Sequence, residues 1–218
     1  MKLEINDLSF KYKDEYILED LSYNFKENTI YGLFGKNGIG KTTFLNILKG
    51  KYTYLGTIKL NDNLLMSNDV TFISSTPELP DFLTGEEYIK YLMKINNCYE
   101  KEKINEYFNL VKLDLSSKDK LLMEYSHGMK NKIEILSSII LNSKIILLDE
   151  PLTNLDIMAQ EEIKEILTKL KRNKIIIIST HILDIASSLC DEILLLKDKK
   201  IFEISNNRED IISNLKDK

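Results

Sequence analysis

The hydrophobic positions at the start of the chain alternate with polar ones. Apolar side chains recur at every second position in short runs, which the polar groups 6–7 and 13–15 separate. The apolar residues of these runs are Leu3, Ile5, Leu8, Phe10, Tyr12, Leu21, Tyr23 and Phe25. Because a period of two is typical of strands with one buried face, the pattern predicts short antiparallel strands.

Later segments are almost continuously apolar, as strands buried on both faces are. They cover 30–34, 145–148, 175–178 and 193–196. Apolar residues at helical spacing follow the first segment and fill the interval between the second and the third. Because strands alternate with helices, we predict an α/β fold with a parallel sheet and helical crossovers.

The region 77–140 has a different, helical pattern. Thr84 and Glu87 have the spacing of a reciprocal helix cap, and apolar residues then recur every three or four positions. We therefore predict a core formed by 1–76, which includes the antiparallel strands, and by 141–218. The segment 77–140 is predicted to be a helical subdomain inserted into that core.

Composition and charge narrow the classes of protein. Of the 218 residues, 43% are hydrophobic and 29% are charged, as in a globular protein, and the net charge of −4 predicts no direct nucleic-acid binding. Cys98 and Cys190 have no metal-binding or redox spacing. The apolar runs are shorter than the roughly 20 residues of a membrane span, and the N-terminus has no signal-peptide pattern. We expect a chain that does not cross a membrane by itself.

The sequence GKNGIGKT, at 35–42, lies between a predicted buried strand and a predicted helix. In that context glycines let backbone N–H groups surround phosphate oxygens, and the helix N-terminus adds positive potential. The predicted binding residues are Gly35, Asn37, Gly38, Gly40, Lys41, Thr42 and Thr43. Lys41 is expected to reach the phosphates and Thr42 to bind Mg²⁺, which predicts a nucleoside triphosphate site; the alternative is a glycine-rich turn.

Acidic and basic side chains follow two later buried strands. Asp149 is expected to hold Mg²⁺, and Glu150 to act as the base that polarises the attacking water. Alone, this pair is equally consistent with a soluble turn. His181, after the next strand, is predicted to contact the γ-phosphate; the alternative is a structural or capping histidine.

The segment EYSHGMK, at 124–130, separates this chain from other proteins with such a phosphate loop. It resembles the signature segment of ABC (ATP-binding cassette) ATPases, and Pro151 and the turn 153–156 also resemble the family. The motifs follow in the family's order over essentially the whole chain. The resemblance implies a P-loop NTPase (RecA-like) core with antiparallel β and helical subdomains, and ATP with Mg²⁺ as cofactors.

The resemblance also implies that two cassettes face each other and enclose two ATP molecules. Ser126 and Gly128 would then contact the γ-phosphate bound by the partner, and Asp156 would connect the two sites. Tyr12 occupies the position of an aromatic residue that stacks on adenine, although a core strand tyrosine is the alternative.

The sequence departs from the family pattern in two places. Ser75 stands where a metal-contacting glutamine is usual, and its shorter side chain would need a bridging water to contact Mg²⁺. In the signature, His127 and Met129 replace a glycine and a glutamine. His127 either tunes ATP binding across the dimer or points to solvent.

The resemblance implies the ATP-hydrolysing subunit of an exporter. It would be a homodimer or heterodimer attached to a separate permease at the cytoplasmic face of the membrane, with amphipathic peptides, antimicrobial compounds or lipids as substrates. The permease would dock near 75–82, on Pro77, Leu79, Pro80 and Phe82; the alternative for these residues is an ordinary packed loop. The alternatives are a soluble cassette that acts on ribosomes or DNA, and a small-molecule kinase, which would explain neither the signature nor Asp156.

Overall fold

The structure, a computed structural model, describes residues 1–205 apart from the side chain of Leu183. Residues 206–218 of the predicted core segment lie outside the described residues. Its strands are β1 (Lys2–Tyr12), β2 (Glu15–Lys26), β3 (Thr29–Phe34), β4 (Leu55–Leu60), β5 (Asn63–Leu64), β6 (Val70–Ile73), β7 (Ile145–Asp149), β8 (Ile175–Thr180), β9 (Glu192–Lys197) and β10 (Lys200–Ile204). Its α-helices are α1 (Lys41–Leu48), α2 (Gly85–Ile95), α3 (Lys103–Leu110), α4 (His127–Ile140), α5 (Ile157–Leu170) and α6 (Leu183–Leu189).

The strands form two sheets, as the patterns predict. One has the order β2-β1-β4-β5, and β1 is antiparallel to both of its neighbours. The other has the order β10-β9-β3-β8-β7-β6. In it β3 is parallel to β8 and β9, and β7 is parallel to β8. The order of the parallel strands in the sheet differs from their order along the chain. The segments that connect them contain helices.

The antiparallel strands are longer than predicted. The prediction of short strands is wrong, because β1 runs through the polar pair 6–7 without ending. Asp7 takes a left-handed conformation with φ of 51°, and the register with β2 shifts between Ile5 and Leu8. A β-bulge therefore absorbs the break in alternation that the sequence shows there.

Burial explains why the central strands are continuously apolar. Every residue of β7 and β8 is buried, with Ile145, Ile146, Ile176 and Ile178 fully so. Each such side chain contributes about 1.5–3 kcal/mol of hydrophobic stabilisation. The residues that follow the carboxyl ends of these strands are therefore attached to fully buried segments of the sheet.

The predicted helix signals are confirmed. Thr84 and Glu87 form a reciprocal cap before α2. The backbone nitrogen of Thr84 lies 2.8 Å from Oε2 of Glu87, and that of Glu87 lies 3.2 Å from Oγ1 of Thr84. Helix α1 ends at Leu48, and Gly50 follows with φ of 84°.

The chain divides into two compact units. The first comprises 1–72, 144–150 and the described residues from 170 onward; the second comprises 73–143 and 151–169. The division of the chain into 1–76, 77–140 and 141–218 stays a prediction. Within residues 1–205, no helix has both the length and the apolar character of a membrane span.

Candidate functional site

The glycine loop connects β3 to the N-terminus of α1. Gly38 and Gly40 have φ of 79° and 113°, a region in which side chains other than glycine are strained. A Cβ on Gly40 would also lie 2.8 Å from Cγ2 of Ile17. The loop therefore folds tightly over Ile17 and leads into the N-terminus of α1, a position that favours anion binding.

A cavity of about 330 Å³ lies over this loop within the first unit. Its lining residues are Ile17, Asn37, Gly38, Gly40, Lys41, Thr42, Thr43 and Glu150. The predicted loop residues Asn37 to Thr43 are thus brought together with one of the two predicted acids. The cavity is open, polar and at a helix N-terminus, which suits a phosphate chain.

Lys41 is buried beneath the loop, with only 6% of its surface exposed. Its Nζ donates hydrogen bonds to the backbone oxygens of Gly35 at 2.8 Å and Lys36 at 3.3 Å. Burial lowers the pKa of the Lys41 ammonium, while the charges of Glu150 and Asp149 act in the opposite direction. A bound phosphate would supply this partly desolvated cation with charged acceptors in place of neutral carbonyls.

Thr42 and Asp149 meet at the carboxyl end of β7. The Thr42 hydroxyl donates to Oδ2 of Asp149 at 2.8 Å, and the Ser179 hydroxyl donates to Oδ1. A hydroxyl beside a carboxylate is an oxygen donor set that Mg²⁺ accepts. Among residues 1–205 no three His, Cys, Asp or Glu side chains group as a metal site, so the fit is to an ion that completes its shell with phosphate and water.

Glu150 and His181 form the second half of the site. Nδ1 of His181 lies 2.6 Å from Oε2 of Glu150, which brings the two predicted catalytic residues into contact. Glu150 has φ of 54°, and its backbone N–H donates to the backbone oxygen of Ser179 at 3.1 Å. This turn fixes the Glu150 side chain beside His181, which is 45% exposed.

The signature residues lie in the second unit. The Ser126 hydroxyl caps α4 by accepting from the Met129 N–H at 3.3 Å, and the side chain is exposed. Gly128 is buried, and a Cβ there would lie 3.2 Å from Cβ of Ala159. His127 is half-buried on the first turn of α4. The roles of Ser126 and Gly128 in contact with a nucleotide stay predictions.

The remaining predicted residues are exposed or cap helices. Asp156 caps α5, since its Oδ1 accepts from the Ala159 N–H at 2.9 Å. Ser75 is exposed in the loop after β6. Tyr12 ends β1 and is 61% exposed, so it is not a buried strand tyrosine, and its contact with adenine stays a prediction.

Sequence reasoning assigned no role to two residues that shape the site. Ile17 supports the glycine loop, and its half-buried apolar side chain on β2 gave no signal of that contact. Ser179 is fully buried and bonds both Asp149 and the Glu150 backbone. A hydroxyl at the end of a run of four isoleucines was the available signal.

Comparison with known proteins identifies the family. The profile described as ABC transporter matches residues 18–153, which is more than half of the chain. The chain belongs to the ABC transporter family. The bacitracin transport ATP-binding protein BcrA of Bacillus licheniformis is 31% identical over 211 residues, which cover 92% of this chain and 68% of that protein.

Solved structures agree with this assignment. The structure of an ATP binding subunit of an ABC transporter matches with a TM-score of 0.84 at 25% identity, covering 100% of this chain and 95% of that one. The dimeric post-hydrolysis state of the ATP-binding cassette MJ0796, bound to ADP and Pi, matches in fold with a TM-score of 0.80. It is 22% identical and covers 94% of this chain and 99% of that one. The parallel sheet with its glycine loop is therefore the P-loop NTPase core of an ABC ATPase.

Proposed function

We propose that this ABC protein binds and hydrolyses ATP as a dimer and drives a separate membrane permease. The proposal is based on two neighbouring contacts. Thr42 bonds to Asp149, and Glu150 contacts His181. These pairs supply, in one place, the groups needed to bind a triphosphate and to activate a water.

The glycine loop binds the triphosphate. Backbone N–H groups of the loop and of the first turn of α1 surround the β- and γ-phosphates, and Lys41 adds a full positive charge. Thr42 and Asp149 would hold Mg²⁺, and Ser75 would contact the ion through a water. When bound, the ion neutralises part of the phosphate charge.

Glu150 is the general base. A water between its carboxylate and the γ-phosphate loses a proton to Glu150 while its oxygen bonds to the γ-phosphorus. The bond from that phosphorus to the bridging oxygen breaks, and ADP leaves with the electron pair. His181 holds the Glu150 carboxylate through Nδ1 and leaves Nε2 for the transferred phosphoryl group.

Dimer formation completes the site. The exposed Ser126 and the N-terminus of α4 at Gly128 contact the γ-phosphate bound by a second cassette, and Asp156 joins the two sites. The dimeric MJ0796 cassette has the same fold, which supports this arrangement for a homodimer or a heterodimer. Tyr12 stacks on the adenine.

We propose export as the direction of transport and a peptide-like compound as the substrate. The name of the bacitracin transport relative supports the substrate class. The permease docks on the exposed loop 75–82, where Phe82 is 78% exposed, and holds the ATPase at the cytoplasmic face of the membrane.

The experiment is Glu150→Gln. The variant is expected to bind ATP, to accumulate as a dimer and to lose turnover, because the amide accepts no proton. Sedimentation with and without ATP and phosphate release measure both effects. Full turnover contradicts the role of Glu150, and a monomer in saturating ATP contradicts the dimer.

His127→Gly tests the signature. If the imidazole obstructs contact with the partner's nucleotide, the variant dimerises at lower ATP concentration than the parent chain. An unchanged dimer assigns His127 to the solvent-facing alternative.

A further inference from the structure

A buried carboxyl group lies under the loop that follows β6. Glu134 is on α4, and one of its oxygens accepts a hydrogen bond from the backbone N–H of Glu78. The other oxygen, Oε2, is fully buried and has no hydrogen-bond partner among the described residues. Burying a carboxylate in such a position costs free energy unless a positively charged group compensates it.

No described lysine on the adjoining turn compensates Glu134. Lys130, one turn earlier on α4, pairs with Asp81 at 3.4 Å. The titratable groups that face Glu134 from the packed elements are Glu78 on the loop and Tyr88 on α2, and neither is a cation. Burial first, and the charge of Glu78 in addition, raise the pKa of Glu134 to about 7.

The neighbours of Glu134 include exposed and aromatic side chains. The Glu78 side chain is exposed, Tyr88 is half-buried, and Tyr91, one turn further along α2, is 56% exposed. Two carboxyl groups beside tyrosine rings favour a guanidinium or ammonium group, which gains ion pairing and contact with aromatic faces. We call Glu78, Tyr88, Tyr91 and Glu134 the acidic face.

We propose that the acidic face receives a basic side chain of the partner permease, with Glu78 making the contact and Glu134 adding its charge from beneath. The inference rests on the proposed function, because it names the chemistry of the segment that docks on this loop. Glu134 is a positioning residue: it holds the Glu78 backbone and supplies the second negative charge.

The first test uses the full chain and a defined probe, N-acetyl-arginine amide, with N-acetyl-citrulline amide as the uncharged control. The carboxyl ¹³C signal of Glu134, assigned with Glu134→Gln, reports its titration. The arginine probe is expected to lower the pKa of Glu134, the citrulline probe to leave it unchanged, and Glu78→Gln to weaken the response. Equal responses to both probes, or none, overturn the inference.

The second test uses the complex with the permease that copurifies with this chain from membranes. Glu134→Gln keeps an acceptor for the Glu78 N–H and removes only the charge. It and Glu78→Gln are expected to weaken binding about tenfold at pH 8, while Glu106→Gln on α3 is the neutral control. Because cation binding favours the ionised carboxylate, wild-type affinity should rise about tenfold from pH 6 to pH 8, and that of Glu134→Gln should not.

The outcomes separate the two proposals. A complex that forms equally well with Glu134→Gln at both pH values overturns the acidic face and leaves the transporter function standing. If the wild-type chain binds no permease at all, the proposed function fails and the permease contact fails with it, while the titration with the arginine probe still shows whether the acidic face binds a cation.

Discussion

Thr42 and Asp149 are joined by a hydrogen bond of 2.8 Å although 107 positions separate them in the sequence. The Thr42 hydroxyl donates from the first turn of α1, and the Asp149 carboxylate accepts at the end of β7. The bond brings the loop that binds phosphate next to the strand that supplies the acid. The chemistry of the site depends on how firmly Asp149 is held there.

Ser179 is expected to control that placement. Ser179→Ala leaves Oδ1 of buried Asp149 without the Ser179 hydroxyl, at a cost of about 1–3 kcal/mol in the free energy of unfolding. Affinity for ATP with Mg²⁺ should fall more than affinity for ATP alone. Denaturant unfolding and calorimetric titration measure the two effects. Ser187→Ala, at an exposed position of α6, is the control, and equal losses in both variants would contradict the role of Ser179.

The close approach of Gly40 to Ile17 predicts that a substitution at Ile17 restores ATP affinity lost by a substitution at Gly40. Gly40→Ala places a Cβ 2.8 Å from the Ile17 side chain at a φ of 113°, so ATP affinity should fall at least tenfold. Ile17→Ala in the same chain should restore part of it by removing the clash. Gly38→Ala, with open space around its Cβ, is the control for φ strain alone. Titration with a fluorescent nucleotide measures the affinity of each variant. If Ile17→Ala restores no affinity, backbone strain at Gly40 rather than the clash causes the loss.

Glu134 predicts a pH-dependent stability. Its pKa is about 7 in the folded chain against an ordinary 4.5, so between these values the folded state holds a proton that the unfolded state has lost. The resulting stabilisation is present at pH 5 and disappears as pH rises through 7. Glu134→Gln has no such proton, so its free energy of unfolding relative to wild type should increase by about 2 kcal/mol from pH 5 to pH 8. Urea unfolding at both pH values measures this.

The matched control for that measurement is Glu106→Gln on α3, an exposed acid in the same unit. The pH dependence of its unfolding difference from wild type is the background that the change for Glu134→Gln must exceed. A change for Glu134→Gln no larger than this background would mean that Glu134 titrates in its ordinary range.

Substitutions in the loop 75–82 are expected to uncouple ATP hydrolysis from the permease. A charge at Leu79 or Phe82, introduced as Leu79→Glu or Phe82→Glu, should abolish stimulation of hydrolysis by the permease and leave basal hydrolysis within about twofold. Leu110→Glu, at an exposed leucine of α3, is the control. Stimulation that survives both loop variants would exclude this segment as the dock.

Local pattern was sufficient where a residue's role follows from its neighbours in the chain. The capping pair Thr84 and Glu87, the end of α1 before Gly50 and the buried runs of β7 and β8 all depend on interactions within a few residues or on burial of whole segments. The bulge at Asp7 was different, because the same break in alternation fits both a strand end and a bulge. Pairing with β2 decided between them.

The sequence by itself determined the family, the glycine loop, and the acids and histidine that follow the buried strands, because each is a short motif whose spacing fixes its chemistry. Only the tertiary structure placed Ile17 under Gly40, Ser179 on Asp149 and Glu134 beneath Glu78. Those contacts join positions that are far apart in the chain. Their energies come from close packing, burial and charge, which exist only after the strands and helices have assembled.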